Sequence, residues 1–199
     1  MTLRYLLLNV LMYTLVHIMR KVYKGGSMKL LIHDLNTDDY TALKMNMKDF
    51  IVISAEEKYA YCQGCFNCWL KTPGQCMIND SLKHMGGIIG QCEEMIIVSE
   101  NCYGGYSPQV KTILDRSIST SLPFFTYRNK RLHHRLRYKN DLVLTVLLYG
   151  DFNQLEKQIA EELVKANGVN IGCTSTKLVM IDQMDEIGGA LDEYINFKW

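Results

Sequence analysis

The sequence predicts an α/β protein with a doubly wound parallel sheet and helices on both of its faces. Three observations support this prediction: five short apolar runs are spread along the chain, helical stretches separate them, and the runs are continuous rather than alternating. Continuous apolar runs are typical of strands that are buried on both faces, as in parallel sheets. Strands that alternate with helices favour a layered α/β sandwich.

The predicted strands share a continuous apolar stretch that is flanked by polar or turn residues. They are Lys29–Leu35, Phe50–Ser54, Glu94–Glu100, Leu142–Tyr149 and Thr176–Ile181. Five such strands fit the flavodoxin-like order 2-1-3-4-5, in which the ligand crevice lies at the carboxyl ends of the strands. Eight apolar side chains are expected in the core around this sheet: Leu30, Ile32, Val52, Ile96, Val98, Leu144, Val146 and Val179.

Helix start and stop signals lie between the strands. Asp80 and Ser107 are expected to be N-caps, and Pro108 suits the first position of a helix. Gly168 is the expected stop signal of the third predicted helix. The four predicted helices are Ser81–Gln91, Gln109–Ser119, Gln154–Asn167 and Ile187–Phe197.

The chain divides into an N-terminal apolar extension, residues 1–27, and a single flavodoxin-like domain, residues 28–199. A length of 199 residues with 48% apolar residues suits one compact domain. A helix over Tyr5–Met19 would reach about 22 Å, short of a hydrocarbon core of roughly 30 Å. Three interpretations of the extension stay open: a helix packed on the domain or a partner, a gene-start extension, or a membrane or export element. Membrane contact is expected only if these residues anchor the chain.

Four of the seven cysteines are crowded into one segment, at Cys62, Cys65, Cys68 and Cys76. In a chain of this length and pattern, such crowding indicates metal ligation or redox chemistry, and reduced thiols indicate the cytoplasm. The spacing suits the ligands of a [4Fe–4S] cluster or of zinc. The alternative is that the thiols are buried as small apolar groups among neighbouring aromatic side chains.

The segment after the third predicted strand lies where this type of sheet binds planar cofactors. Gly104 and Gly105 allow the backbone to approach a ring closely, and exposed N–H groups there can bond the edge of a flavin. A plain glycine-rich turn between a strand and a helix is the alternative.

These two segments, in this order and separation, resemble the NADPH-dependent FMN reductase and iron–sulfur flavoprotein families. The matching residues are Cys62, Gly64, Cys65, Cys68, Trp69, Gly74, Cys76 and Asp80, followed by Ser99, Gly104, Ser107, Lys111, Asp115 and Arg116. The resemblance implies a flavodoxin-like fold, FMN, NAD(P)H as substrate, and a homodimer or tetramer with the flavin near the subunit interface. The residues that it implies at the flavin are Asn101, Cys102, Tyr103, Gly104, Gly105, Tyr149 and Gly150.

The chain departs from these families at the phosphate end of the site. The families hold the FMN phosphate on a Ser/Asn/Gly/Thr-rich loop at a helix N-terminus, whereas this chain has Asn36–Thr41, with Asp38 and Asp39. These acids repel a phosphate dianion. The basic run at residues 127–139 is interpreted either as a solvated loop or as a substitute anchor, through Arg135 and Arg137, in the same subunit or across a dimer interface.

Two functions follow as predictions. The first is an FMN-dependent NAD(P)H oxidoreductase or electron-transfer flavoprotein, with an optional Fe–S cluster and a redox partner or small-molecule acceptor. Because the flavin supplies the chemistry, no catalytic side chain is assigned. The second is a degenerate flavodoxin-like module without bound flavin, acting in assembly or metal binding. Nucleic-acid binding is not expected, because acids outnumber bases outside two short basic segments.

Overall fold

A five-stranded parallel sheet forms the centre of the protein. The computed structural model describes residues 28–42, 50–128, 130–182 and 186–196. Within these ranges the strands are β1 (Lys29–His33), β2 (Phe50–Ser54), β3 (Glu94–Glu100), β4 (Ser121–Arg128), β5 (Arg131–Leu136), β6 (Val143–Tyr149) and β7 (Ser175–Ile181). The parallel sheet has the order β2-β1-β3-β6-β7, while β4 and β5 form a separate antiparallel hairpin.

The strand numbers differ from the predicted 2-1-3-4-5 because the hairpin adds two strands between the third and fourth strands of the sheet. One of the two interpretations of residues 127–139, a solvated loop, is wrong for β5. The strand Arg131–Leu136 carries two arginines and two histidines, so it lacks the apolar run that marks a buried strand. It forms because it pairs with β4 outside the sheet, where polar side chains meet solvent.

Helices cover both faces of the sheet. They are α1 (Thr37–Ala42), α2 (Asn67–Leu70), α3 (Met85–Ile89), α4 (Pro108–Asp115), α5 (Gln154–Ile171) and α6 (Glu186–Asn196), with 3₁₀ turns at Ser81–His84 and Ile118–Thr120. Both predicted N-caps are confirmed: Asp80 accepts the amide of Leu82 at 3.1 Å, and Ser107 accepts the amide of Val110 at 3.3 Å. The predicted helix after Asp80 is divided into a 3₁₀ turn and α3.

Gly168 does not end α5, contrary to the prediction. The helix continues to Ile171 and ends at Gly172, whose φ of 79° is the left-handed conformation of a helix C-cap. Gly168 is buried, and a Cβ there would lie 2.1 Å from Cγ2 of Thr176 on β7. Glycine at this position is therefore required for close packing of the helix on the sheet.

The core lies on both sides of the sheet. Side chains of α4 and α5 pack on one face, and side chains of α1 and α6 pack on the other. Six of the eight predicted core residues are buried: Leu30, Ile32, Ile96, Val98, Leu144 and Val146. Val52 and Val179 are half-buried, because they lie on the edge strands β2 and β7.

The predicted N-terminal extension, residues 1–27, lies outside the described residues, as does Phe197 at the end of the last predicted helix. Across the ranges that the structure describes, every helix is too short or too polar to cross a membrane.

Candidate functional site

The carboxyl ends of β1 and β3 form the point at which doubly wound sheets bind ligands. The chain passes from β1 to β2 on one side of this point, and from β3 to β6 on the other side. Three segments meet there: residues 34–41 after β1, residues 100–105 from the last residue of β3, and residues 149–151 from the last residue of β6. We refer to this space as the switch-point crevice.

A tight turn, Cys102–Gly105, forms one wall of the crevice. The amide of Cys102 donates to the carbonyl of Gly105 at 2.9 Å, and the reverse bond is 3.0 Å long. Tyr103 and Gly104 have φ angles of 56° and 83°, which are typical of a type I′ turn. Gly104 also packs on α5, where a Cβ would lie 2.6 Å from the carbonyl oxygen of Glu156. The ring of Tyr103 is 82% exposed and projects from the turn.

Asn101 joins this turn to the end of β6. Its backbone amide donates to the carbonyl of Tyr149 at 2.8 Å, and its side-chain amide donates to the carbonyl of Asp151 at 2.7 Å. Its side-chain oxygen accepts the amide of Gly104 at 2.9 Å. The structure therefore brings the predicted site residues together: Asn101, Cys102, Tyr103, Gly104, Gly105, Tyr149 and Gly150.

The backbone amides of this wall are engaged within the protein. Those of Asn101, Cys102, Gly104 and Gly105 all donate to protein oxygens, whereas the sequence predicts exposed N–H groups at the edge of a flavin. A flavin edge would have to compete with these bonds. The role of the seven residues in flavin binding stays a prediction.

Asp34 links the ends of β1, β3 and β6. Its carboxylate accepts hydrogen bonds from the amide of Glu100 at 3.0 Å, the hydroxyl of Ser99 at 3.2 Å and the hydroxyl of Tyr149 at 3.0 Å. Burial raises the pKa of Tyr149, and the charge of Asp34 raises it further. Asp34 lies inside the predicted strand Lys29–Leu35 but follows β1 in the structure; an acid at the carboxyl end of an apolar run is a signal for a site residue.

A carboxylate of the protein fills the N-terminus of α1. Glu56 follows β2, and its two oxygens accept the amide of Thr37 at 3.2 Å and the hydroxyl of Thr37 at 2.8 Å. Asn36 accepts the amide of Asp39 at 2.9 Å and donates to the carboxylate of Asp39 at 2.7 Å. In the families that the sequence resembles, the phosphate of FMN lies on backbone amides at this place.

These contacts do not fit a phosphate. The donors that a phosphate would need, on Thr37 and Asp39, already bond to protein oxygens. Asp34, Asp39 and Glu56 add negative charge at the same end of the crevice, and like charges repel. FMN held by its phosphate as a resident cofactor therefore does not fit these residues, and no reaction step is assigned to it.

The basic run lies at the other end of the sheet. The side chain of Arg137 donates to the carbonyl of Ser119 at 3.0 Å, and Arg128 donates to the carbonyl of Asn170 at 3.4 Å. Asn170 is near the end of α5, whereas Glu156 beside the crevice is near its start. The helix between them is about 21 Å long, at about 1.5 Å per residue. The expectation of a phosphate anchor from the same subunit is therefore wrong, while an anchor across a dimer interface stays a prediction.

The four crowded cysteines line one cavity with a volume of about 200 Å³. Cys62 and Cys65 are exposed, Cys76 is half-buried and Cys68 is buried. Burial raises the pKa of Cys68, and the three other thiols add to this effect. Among the described residues, no group of three or more His, Cys, Asp or Glu is arranged to hold a metal ion. The expected convergence of the four sulfurs is thus not found, and their role as ligands stays a prediction.

Arg116 forms hydrogen bonds with residues on both sides of the cysteine segment, Ala60 and Asp80. Its guanidinium is fully buried and donates to both carboxylate oxygens of Asp80, at 2.7 and 2.8 Å, and to the carbonyl of Ala60 at 2.8 Å. The hydrogen bond from Arg116 lowers the pKa of Asp80. Both residues belong to the motifs that carry the family resemblance, so that part of the motif has a structural role in the cysteine segment.

Solved structures of oxidoreductases have a similar fold. They include an NAD(P)H:quinone oxidoreductase from Methanothermobacter marburgensis, with 12% identity and a TM-score of 0.53 over 85% of this chain and 97% of that chain. A putative quinone reductase from Klebsiella pneumoniae has 11% identity and a TM-score of 0.59 over 85% and 84%. An FMN-dependent NADH-azoreductase from Bacillus anthracis, in complex with FMN, has 13% identity and a TM-score of 0.50 over 85% and 99%.

At these identities the likeness establishes the fold, a flavodoxin-like α/β sandwich. Neither a protein-family model nor a curated protein sequence matches the chain.

Proposed function

We propose that the protein is an NAD(P)H-dependent oxidoreductase that reduces a flavin in the switch-point crevice. The observation that supports this proposal most directly is the topology: the carboxyl ends of β1, β3 and β6 meet at the switch point of a flavodoxin-like sheet, where such folds bind ligands. The three similar structures named above are two quinone reductases and an azoreductase. In the proposed overall reaction, NAD(P)H and a proton convert a quinone-like or azo acceptor to its two-electron, two-proton reduced form; a flavin bound in the crevice would supply the chemistry that links the two compounds.

The flavin is proposed to be an exchangeable substrate, because the phosphate-binding donors at α1 are satisfied by the protein. Two features of the crevice suit a flat ring. Tyr103 presents an exposed aromatic ring for stacking. Gly150 has a φ of 105°, and no atom lies within 4 Å of the position of its missing Cβ, so the backbone is open to close approach.

NAD(P)H oxidation by the full chain, with riboflavin or FMN added, tests this function. We expect a rate that requires both protein and flavin. Tyr103→Ala should raise the KM for flavin about two- to tenfold, since aromatic stacking contributes about 0.5–1.5 kcal/mol. Tyr61→Ala is the matched control, because Tyr61 is also an exposed tyrosine, on the cysteine segment. No flavin-dependent oxidation above the protein-free rate would contradict the proposal.

A second candidate function is the flavodoxin-like module without bound flavin. It is favoured by the internal hydrogen bonds of the Asn101–Gly105 amides and by Glu56 at the N-terminus of α1. A protein that binds neither flavin nor NAD(P)H would support it.

Three further points are part of the proposal. We propose a homodimer or tetramer, which sedimentation analysis tests, and a [4Fe–4S] cluster or zinc at Cys62, Cys65, Cys68 and Cys76. We also propose a cytoplasmic location, because all seven cysteines are free thiols, as is typical of a reducing compartment.

A further inference from the structure

We infer that the switch-point crevice selects flavins by charge: it accepts a flavin without phosphate, such as riboflavin, in preference to FMN. This inference rests on the proposed function and adds the charge of the ligand to it. The fold would bring a ligand phosphate to the end of β1, next to the N-terminus of α1. The contacts of Glu56 there, and the charges around it, determine which flavin is admitted.

Glu56 competes directly with a phosphate. Its carboxylate uses the amide and the hydroxyl of Thr37, at 3.2 and 2.8 Å. A phosphate can use these donors only if the carboxylate leaves them, and Glu56 is attached to the end of β2, so its charge would remain beside the phosphate. Riboflavin ends in a neutral hydroxyl and needs no such displacement.

Among the described residues, the segments that end at the switch point carry no cation of their own to compensate a phosphate. The four described segments around it, residues 34–41, 54–56, 100–105 and 149–156, contain seven Asp or Glu residues and no Lys or Arg. Arg128 of the hairpin contacts Asn170 near the end of α5, whereas Glu156 lies near its start, about 21 Å away along the helix. The carboxylate of Asp34 lies at the carboxyl ends of the central strands, because it accepts hydrogen bonds from Ser99, Glu100 and Tyr149.

The expected discrimination follows from the charges. Repulsion between two unit charges 4 Å apart weakens binding about fivefold even at the dielectric constant of water. A phosphate dianion beside Glu56 and a second carboxylate is therefore expected to bind more than about tenfold more weakly than a neutral hydroxyl.

Titration of the full chain with riboflavin and with FMN, followed by flavin fluorescence, tests the inference. At low salt we expect the Kd of FMN to exceed that of riboflavin by about tenfold or more. In about 1 M NaCl the difference should shrink, because the screening length falls to about 3 Å. Glu56→Gln should tighten FMN binding about fivefold and leave riboflavin within about twofold.

Glu57→Gln is the matched control, because it makes the same change one residue away, where the carboxylate faces the hydroxyl of Ser81 at 3.5 Å. It should change neither Kd. FMN binding as tight as riboflavin binding in the wild-type chain at low salt overturns the inference and leaves the proposed function intact. An equal effect of Glu56→Gln on both flavins also overturns it. Binding of neither flavin overturns both the inference and the proposed function.

Discussion

Replacement of Asp80 by Ala is expected to destabilise the protein by about 3 kcal/mol, because it leaves the buried charge of Arg116 without its carboxylate. Removal of one partner of a buried ion pair costs about 3–5 kcal/mol. The side chain of Arg116 is 0% exposed and donates two hydrogen bonds to the carboxylate of Asp80. Asp80 itself is 25% exposed, so water can partly replace it, and the lower end of the range is expected.

Urea unfolding followed by circular dichroism measures this loss, which corresponds to a decrease in Tm of about 6–12 °C for a chain of this size. Asp115→Ala is the control, because it removes an exposed ion pair with Lys111 and should cost less than about 0.5 kcal/mol. In the double variant Asp80→Ala/Arg116→Met, the unpaired charge is absent, so the loss should be smaller than in Asp80→Ala. A loss for Asp80→Ala as small as that for Asp115→Ala would refute the reasoning.

Three other outcomes are expected. Burial lowers the pKa of His33 below 6.5, so the unfolded chain binds a proton that the folded chain does not bind. The free energy of unfolding is therefore highest above pH 6.5 and falls as the pH decreases through this value. His33→Phe should flatten the dependence of the urea midpoint on pH. Gly168→Ala should lower the free energy of unfolding by about 1–3 kcal/mol through overpacking. Gly189→Ala is the helical control: its Cβ would meet no atom within 4 Å, so this change should not lower the free energy of unfolding. If the cysteine segment binds metal, anaerobically purified protein should contain either iron with acid-labile sulfide or zinc. Cys62→Ser should reduce the metal content, and the control Cys102→Ser should not. Absence of iron, sulfide and zinc from the wild-type chain removes the ligand assignment.

The sheet was predictable because its central strands are continuous apolar runs, which can be recognised in the sequence without knowledge of their partners. β3 and β6 are buried on both faces and read as continuous apolar runs, so their positions follow from hydrophobicity alone. The hairpin strand Arg131–Leu136 has no such run, and its pairing with β4 depends on a partner rather than on burial. Gly168 was misinterpreted for a similar reason, because only the position of Thr176 on β7 shows that the glycine is needed for packing.

The motif residues were predictable as a set but not as contacts. Asp80 and Arg116 are 36 residues apart, and each matches the family pattern on its own. A single sequence gives no measure of which motif residues touch a ligand and which touch each other. Because Asp80 and Arg116 form a bidentate ion pair, we assign both residues to the support of the cysteine segment. Fewer of the matching motif residues therefore concern flavin binding.

The negative charge of the crevice follows from the residues at the ends of the predicted strands. Asp38 and Asp39 are the acids that the sequence predicts as obstacles to a phosphate, yet the carboxylates with the decisive contacts are Asp34 and Glu56. β1 and β2 are parallel neighbours, with His33 paired to Ser54, so an acid one residue after the first strand and an acid two residues after the second emerge at the same edge. The rule that locates the ligand crevice at the carboxyl ends of the strands thus also determines its charge. Once the order 2-1-3 is assumed, the residues at the carboxyl end of each strand have to be considered together: acids follow β1 and β2, and β3 itself ends in Glu100.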